Sequence, residues 1–374
     1  MLRIIKKGAS KILRIINSAA PEICRDVSLW AAERGLFVQE IAKPVYMENR
    51  SYFSNEEMAV AMVDTHREVL SRPQNLVLIE KARVRETLGL VELPDGRVLM
   101  EGNWWEPLLR QHPTYRKRIG FLKHKLRGDV FSLLAMWSTS FYHWLHDVLP
   151  RLEAALPHLP KGTKFLINEN PTRWQFDTLR AYGISERDLE IQPANARTEV
   201  ERLWFATPAG QTGFGSRDLL KKVSVRLRAH FETKTQKNRC GLFVSRAQSR
   251  CRRFTNEPEV LAILKEYEFT KVFCEDLSIS EQIEIFWNAS KVLAPHGAGL
   301  TNIMFCQQGA SIGEVHYAET VYNDHYWMLA QQFELPHSHL GSKKIDLSNG
   351  EYDLEANLGD IEKWLAGKAQ GARR

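Results

Sequence analysis

Lys291-Val-Leu-Ala-Pro-His-Gly-Ala-Gly-Leu-Thr-Asn-Ile-Met-Phe305 is the stretch that decides the fold. Lys291 to Ala294 read as a short buried strand, His296, Gly297 and Gly299 as a turn, and Leu300 to Cys306 as the start of a helix. Glycines at such a turn let backbone N–H groups approach a ligand closely. The first N–H groups of a helix lack internal partners, and the helix dipole adds partial positive charge there. A strand, a glycine turn and a helix in this order make an anion site suited to phosphate or diphosphate. The competing reading is an ordinary turn whose glycines serve packing, and a short glycine motif alone does not separate the two.

Working outward, the same alternation recurs on both sides. Upstream, Cys240 to Ser245 and Thr270 to Cys274 read as strands. Asn256-Glu-Pro-Glu259 has the cap, early proline and acidic third position of a helix start. Ser278 to Glu281 has capping-box spacing before another helix. Downstream, Ser311 to His316 is a strand and Asp353 to Ala366 reads as a terminal helix. An earlier run of the same kind holds strands at Val130 to Trp137, Lys164 to Asn168 and Val200 to Ala206, with helices at Ser140 to Leu156 and Pro171 to Tyr182. Strands alternating with helices predict parallel sheet with covering helices. Leu76 to Glu101, punctuated by Pro94-Asp-Gly96, predicts antiparallel hairpins at the edge of the N-terminal domain.

The reading is therefore two α/β domains. The first spans 1–207, a linker and basic helix span 208–238, and the second spans 239–350, with a C-terminal segment at 351–374. A chain of 374 residues suits two domains. Ligands of open α/β sheets bind beyond the carboxyl ends of strands, so the cleft between two such domains is the expected site.

Composition is ordinary for a globular protein, 44% hydrophobic and 26% charged. The net charge of +6 fits an anionic ligand or an anionic membrane surface. Nucleic acid is not indicated, because the aromatic residues near basic ones fall mostly on apolar faces. The five cysteines are scattered, with no CxxC pair, which argues against a zinc cage or a disulfide framework and favours the cytosol. Residues 1–17 place Leu2, Ile5, Ile12 and Ile16 on one helical face and Arg3, Lys7 and Arg14 on the other. Such a basic amphipathic helix either lies on an anionic membrane or packs on the protein's own body.

Three further constellations carry chemistry. In Phe141-Tyr-His-Trp-Leu-His-Asp-Val-Leu-Pro150, His143, His146 and Asp147 share the face opposite the apolar one. His143 and Asp147 are four apart and can touch. A carboxylate beside an imidazole fixes its tautomer and raises its basicity, as a general base requires. A zinc reading of the same three residues lacks a third distant ligand. Pro150 removes the N–H that would bond the carbonyl of His146, which predicts a kink. Second, Ser245-Arg246 ends a strand, with arginines following at 250, 252 and 253, where guanidinium groups can fork onto phosphate oxygens. Third, Glu314 at the end of the strand after the glycine turn could accept from a ribose diol.

Together these stretches resemble the family-61 glycosyltransferases, especially the bacterial branch tied to capsular and surface polysaccharides. The resemblance rests on Tyr142-His143-Trp144 with Asp147, on Ser245-Arg246 with Arg252-Arg253, on Glu281-Gln282, and on Pro295 to Asn302. It covers roughly Leu76 to His316, and Ser140 stands where that family usually has asparagine. It implies a GT-B fold of two Rossmann-like domains facing a cleft, with the last helix crossing back to the N-terminal domain. It also implies an inverting transfer from a nucleotide-sugar to a glycan or glycolipid, without a bound metal or other cofactor. On that basis His143, oriented by Asp147, is the expected base, with Asp147 acting directly as the runner-up. The donor residues are Ser245, Arg246, Arg253, His296, Gly297, Ala298, Gly299, Leu300, Thr301, Asn302 and Glu314. The expected setting is the cytoplasm, at the inner face of the cytoplasmic membrane through residues 1–17. The alternative is an inactive nucleotide-sugar binder of the same fold.

Overall fold

A computed structural model describes residues 21–43, 73–101, 121–208, 215–237, 239–317 and 324–367. It also describes Arg110, Tyr115 and the short strands Tyr46–Glu48, Tyr52–Phe53 and Glu68–Leu70. The amphipathic segment 1–17 lies outside the described residues. Two compact units emerge, 1–44 with 72–215, and 45–71 with 216–374.

The first unit is built on one mixed sheet. Its long strands are β1 (Gln74–Arg85), β2 (Leu122–Ser132), β3 (Lys164–Asn168), β4 (Leu189–Gln192) and β5 (Ala196–Ala206). β1 pairs antiparallel with β5 and with Leu90–Glu92, which in turn pairs with Val98–Leu99, so the expected antiparallel edge is present. β5, β2, β3 and β4 are parallel neighbours in that order. β5 therefore returns to the opposite side of β2 from β3, and the strand order reverses between β2 and β5. The core under this sheet includes Val77, Ile79, Val130, Leu166, Val200 and Leu203.

β2 begins eight residues earlier than its buried run suggests, because its first half alternates exposed and covered positions. It ends at Ser132, and the next helix starts at Phe141. That helix, α1, has three parts: Phe141–His143, a π-helical Trp144–Val148, and Leu149–Ala155. Pro150 explains the middle part. It cannot donate to His146, and the Leu149 N–H reaches back five residues to Trp144. The missing bond is absorbed as a widened π turn, where a kink was expected.

The second unit carries a parallel sheet. Its strands are β6 (Cys240–Val244), β7 (Phe269–Val272), β8 (Ala289–Pro295), β9 (Ser311–Val315) and β10 (His337–Leu340). The spatial order is β7-β6-β8-β9-β10, followed by Tyr52–Phe53, with every pairing parallel. This is the doubly-wound order whose switch point lies between the first and third strands. Here that point is between β6 and β8, the strands that lead into Ser245-Arg246 and His296-Gly297.

Helix α2 (Arg217–His230) buries Leu220, Val223 and Leu227, and the Ser224 hydroxyl donates to the Met304 carbonyl at 2.8 Å. The segment read as a linker helix thus belongs to the second unit, whose boundary falls at Ser216. The expected terminal helix over 353–366 is two elements. Tyr352–Ala356 pairs antiparallel with Ser342–Asp346, and α3 (Leu358–Leu365) starts after the Asn357 cap. Alternating burial of Leu354 and Ala356 favours the strand, and the capping asparagine fixes where the helix starts.

α3 packs within the second unit. Its Ile361, Trp364 and Leu365 pack with Phe243, Leu293, Val315 and Leu340 of its own unit. Each such burial contributes about 1.5–3 kcal/mol. Gly313 makes the approach close, since a Cβ there would lie 3.0 Å from the Trp364 ring.

Candidate active site

The switch point of the second unit gathers the glycine turn and the arginine loop. Gly297 has an extended backbone, so its φ does not require glycine. What requires it is Arg246: a Cβ on Gly297 would overlap Arg246 Nη1. The guanidinium therefore lies directly on the glycine turn. Gly299 has a different reason. A Cβ there would lie 2.9 Å from Val244 and 3.4 Å from the Cys274 sulfur, so this glycine serves close packing onto β6. The expected helix is a 3₁₀ helix over Ala298–Phe305, with Leu300 N–H bonded to the Gly297 carbonyl. Ala298 and Gly299 are half-buried, so their N–H groups stand at the accessible start of that helix.

Arg246 donates through Nε and Nη2 to the Cys251 carbonyl, at 3.3 Å each. Burial, and then the Arg252 charge, push it below the ordinary guanidinium range. Arg252 is held at φ +58°, a costly conformation for a non-glycine residue. Among the described residues neither arginine forms an ion pair with a carboxylate. Arg253 is different. Its guanidinium forks onto Asp353, with Nη2 to Oδ2 at 2.7 Å and Nε to Oδ2 at 3.0 Å. Arg253, expected in the clamp, is thus engaged by Asp353, and the arginine whose charge acts on Arg246 is Arg252.

Several other expected donor residues hold the turn together. Ser245 is buried and its hydroxyl donates to Glu257 at 2.8 Å. Asn302 donates to Gln282 at 2.8 Å and to the Gly299 carbonyl at 3.2 Å, while Gln282 donates to the carbonyls of Cys274 and Leu277. Leu300 and Thr301 are fully buried.

Glu314 does not offer its oxygens outward, because it is 1% exposed. His296 Nδ1 donates to Oε1 at 2.5 Å and His337 Nε2 to Oε2 at 2.9 Å. Burial alone would raise this carboxyl, but those two bonds hold it well below its ordinary value. Both oxygens are thus engaged by His296 and His337, at the residue where a ribose contact was expected. Tyr326 completes this corner, 5.0 Å from the His296 ring, and burial with the Glu314 charge raises its hydroxyl above the usual range.

In the first unit, α1 rises from the carboxyl end of β2. Asp147 accepts from His143 Nδ1 at 2.7 Å through Oδ2 and from His146 Nδ1 at 2.9 Å through Oδ1. Both imidazoles spend Nδ1 on one carboxylate, which leaves Nε2 as the basic nitrogen of each. The His143 side chain is 13% exposed, against 1% for His146 and 4% for Asp147. His143 is therefore the most accessible of the three side chains. Ser140 sits at the N-cap without a side-chain capping bond. Trp137, at φ +59° and half-exposed, sets its indole 5.0 Å from the His143 ring.

Arg151, one turn beyond Asp147, was not singled out in the sequence. It is buried and donates through Nε to the Ala206 carbonyl at 3.0 Å, with weaker contacts to Leu134 and Ser132. It ties α1 to the carboxyl ends of β2 and β5. Burial pushes it down to about 10, partly offset by the Asp147 charge.

Residues 141–313 match the family model Glycosyltransferase 61. This match supports a family-61 glycosyltransferase. No curated protein matches the chain. The matched span opens at the first residue of α1 and closes in β9, so it contains the His143–Asp147 pair, the Arg246 loop and the glycine turn. His337, which fixes Glu314, lies beyond it. A glycosyltransferase implies a donor and an acceptor.

Asp147 also makes a pH prediction. Burial would raise its carboxyl, yet the bonds from His143 and then His146 hold it well below the ordinary value. A carboxylate depressed in the folded state stabilises above its unfolded pKa of about 3.9, and that stability is lost as pH falls below it. The melting midpoint of the wild type should fall steeply on acidification from about pH 5. Asp147→Asn should melt lower at neutral pH and show a shallower acid slope. Parallel slopes would show that this carboxylate is not linked to folding.

Proposed function

We propose that the chain is an inverting glycosyltransferase of GT-B type that moves a sugar from a nucleotide-sugar to a glycan or glycolipid acceptor. The reading extends to bacterial surface polysaccharide synthesis, capsule or O-antigen, at the cytoplasmic face of the membrane. Residues 1–17 would lie on anionic lipid, as their charge pattern allows. Among the described residues, no helix is long and apolar enough to cross a membrane.

The observation that carries this reading is Arg246 lying on Gly297 at the switch point of a parallel sheet, with Arg252 beside it. Two guanidinium groups without carboxylate partners call for an anion, and the N–H groups of Ala298 and Gly299 add donors to the same corner. A nucleoside diphosphate supplies that anion. The acceptor hydroxyl attacks the anomeric carbon and gives its proton to His143 Nε2. The bond from that carbon to the diphosphate oxygen breaks, and the diphosphate leaves with the electron pair. Asp147 holds the His143 Nδ1–H and stabilises the imidazolium, as a buried carboxylate does in a catalytic triad. Arginines and backbone N–H groups stabilise the departing charge in place of a cation on the diphosphate.

The test is a panel of UDP-, GDP-, CDP- and TDP-sugars, scored for released nucleoside diphosphate and for thermal protection, with and without added magnesium or manganese. One nucleotide class should be turned over, with no requirement for either cation and with inversion at the anomeric carbon. Failure of every nucleotide-sugar to be cleaved or to protect would overturn the reading. A strict requirement for manganese would overturn the cation-free part alone.

A further inference from the structure

β9 and β10 run parallel, with Glu314 in register with His339 and Gly313 with Ser338. Residues two apart on a strand share a face, so His337 and His339 both meet Glu314. The ligand-type atoms of the three residues all lie within 4.8 Å of one another. Their side chains are at most 1% exposed. Among the described residues this is the one such group. Glu314 Oε2 is 2.9 Å from His337 Nε2 and 4.0 Å from His339 Nδ1. Oε1 is engaged separately by His296.

We propose that Glu314, His337 and His339 form a zinc site that pins β10 to β9 and holds Glu314 against His296. Two imidazoles and one carboxylate are a donor set zinc accepts, usually with a fourth position for water. Tetrahedral zinc at about 2.0–2.1 Å from each ligand sets the donor atoms roughly 3.4 Å apart. The two distances from Glu314 Oε2 bracket that separation, and side-chain adjustment within the 4.8 Å cluster brings the atoms into place. On binding, the proton of His337 Nε2 moves to Nδ1. The ring stays neutral, and the nitrogen that meets the ion is the one now facing the carboxylate. Glu314 keeps Oε1 for His296, so the ion stiffens the second layer of the glycine-turn corner without touching a donor there. The sequence hid this set because Glu314 and the His-Ser-His run are 23 residues apart and join only through strand pairing. The proposal does not depend on the transferase reading, since its ligands and its readout are separate from turnover.

The experiment uses the full chain, produced with a tag free of histidine and stripped with a chelator. It is incubated with a slight excess of zinc sulfate, desalted, and assayed by inductively coupled plasma mass spectrometry. About one zinc per chain should be retained, and the melting midpoint should rise by roughly 2–5 °C over the stripped protein. The double variant His337→Gln/His339→Gln should retain none. Because buried substitutions can prevent folding, cobalt(II) is added to the stripped wild type as a second measurement. Intense visible absorption bands of four-coordinate cobalt are expected. Wild type that retains no zinc, a folded double variant that retains as much as wild type, or cobalt bound without those bands would each overturn the site.

Discussion

His143→Ala lowers turnover by about a hundredfold to ten-thousandfold, the range for a lost general base, while nucleoside-diphosphate affinity stays at the wild-type level. The expectation follows from position. His143 is the member of the His143–Asp147–His146 cluster that reaches solvent, and its Nδ1 is committed to Asp147. The proposed anion corner is made of Arg246, Arg252 and the glycine turn and does not include His143, so diphosphate affinity should hold. Stability should fall moderately, because the buried Asp147 carboxylate loses the bond from His143 while keeping that from His146. Steady-state rates with the preferred nucleotide-sugar, and calorimetric titration of its nucleoside diphosphate, separate the two effects. A variant with near-normal turnover would remove His143 from the base role. A variant that loses diphosphate affinity in equal measure would make it a donor contact.

How much of this could be read from residues alone depended on range. Local patterns were legible. Lys164–Asn168 needs only its apolar run, and the Ser278–Glu281 capping box forms as spaced, with the Ser278 hydroxyl donating to Glu281 at 2.6 Å. The His143–Asp147 contact followed from helical spacing and survives the π turn. What failed was long-range. Arg252 and Arg253 are adjacent, and nothing local says which one meets Asp353, a hundred residues away. Glu314 looked like an outward carboxylate because its two histidines come from other strands. His337–Leu340 was not recognised as a strand at all, since two histidines and a serine in four residues do not look buried. They are buried because the sheet supplies Glu314 as a partner, which turns polar residues into acceptable core. Gly297 and Gly299 were both assigned to ligand approach. Only the surrounding atoms separate them, Arg246 over one and Val244 under the other.

Arg246→Ala and Arg253→Ala should therefore behave in opposite ways, although both arginines follow the same strand. Arg246 lies on the glycine turn and its guanidinium donates to the Cys251 carbonyl, so its removal leaves no buried carboxylate behind. Its loss takes away a charge-assisted bond worth about 1.5–3 kcal/mol, which is a weakening of nucleoside-diphosphate binding by roughly tenfold to 150-fold. The melting midpoint should hold or rise, because a like-charge contact with Arg252 is relieved. Arg253→Ala should leave binding near wild type and lower the midpoint, because Asp353, 6% exposed, loses its forked partner. Arg252→Ala should follow Arg246→Ala in binding, since its charge acts on the same corner. Calorimetric titration of UDP, CDP and GDP into each variant, beside a thermal melt, reads both quantities. If Arg253→Ala abolishes binding while Arg246→Ala retains it, the diphosphate does not lie at the turn, and the donor corner must be moved towards Asp353.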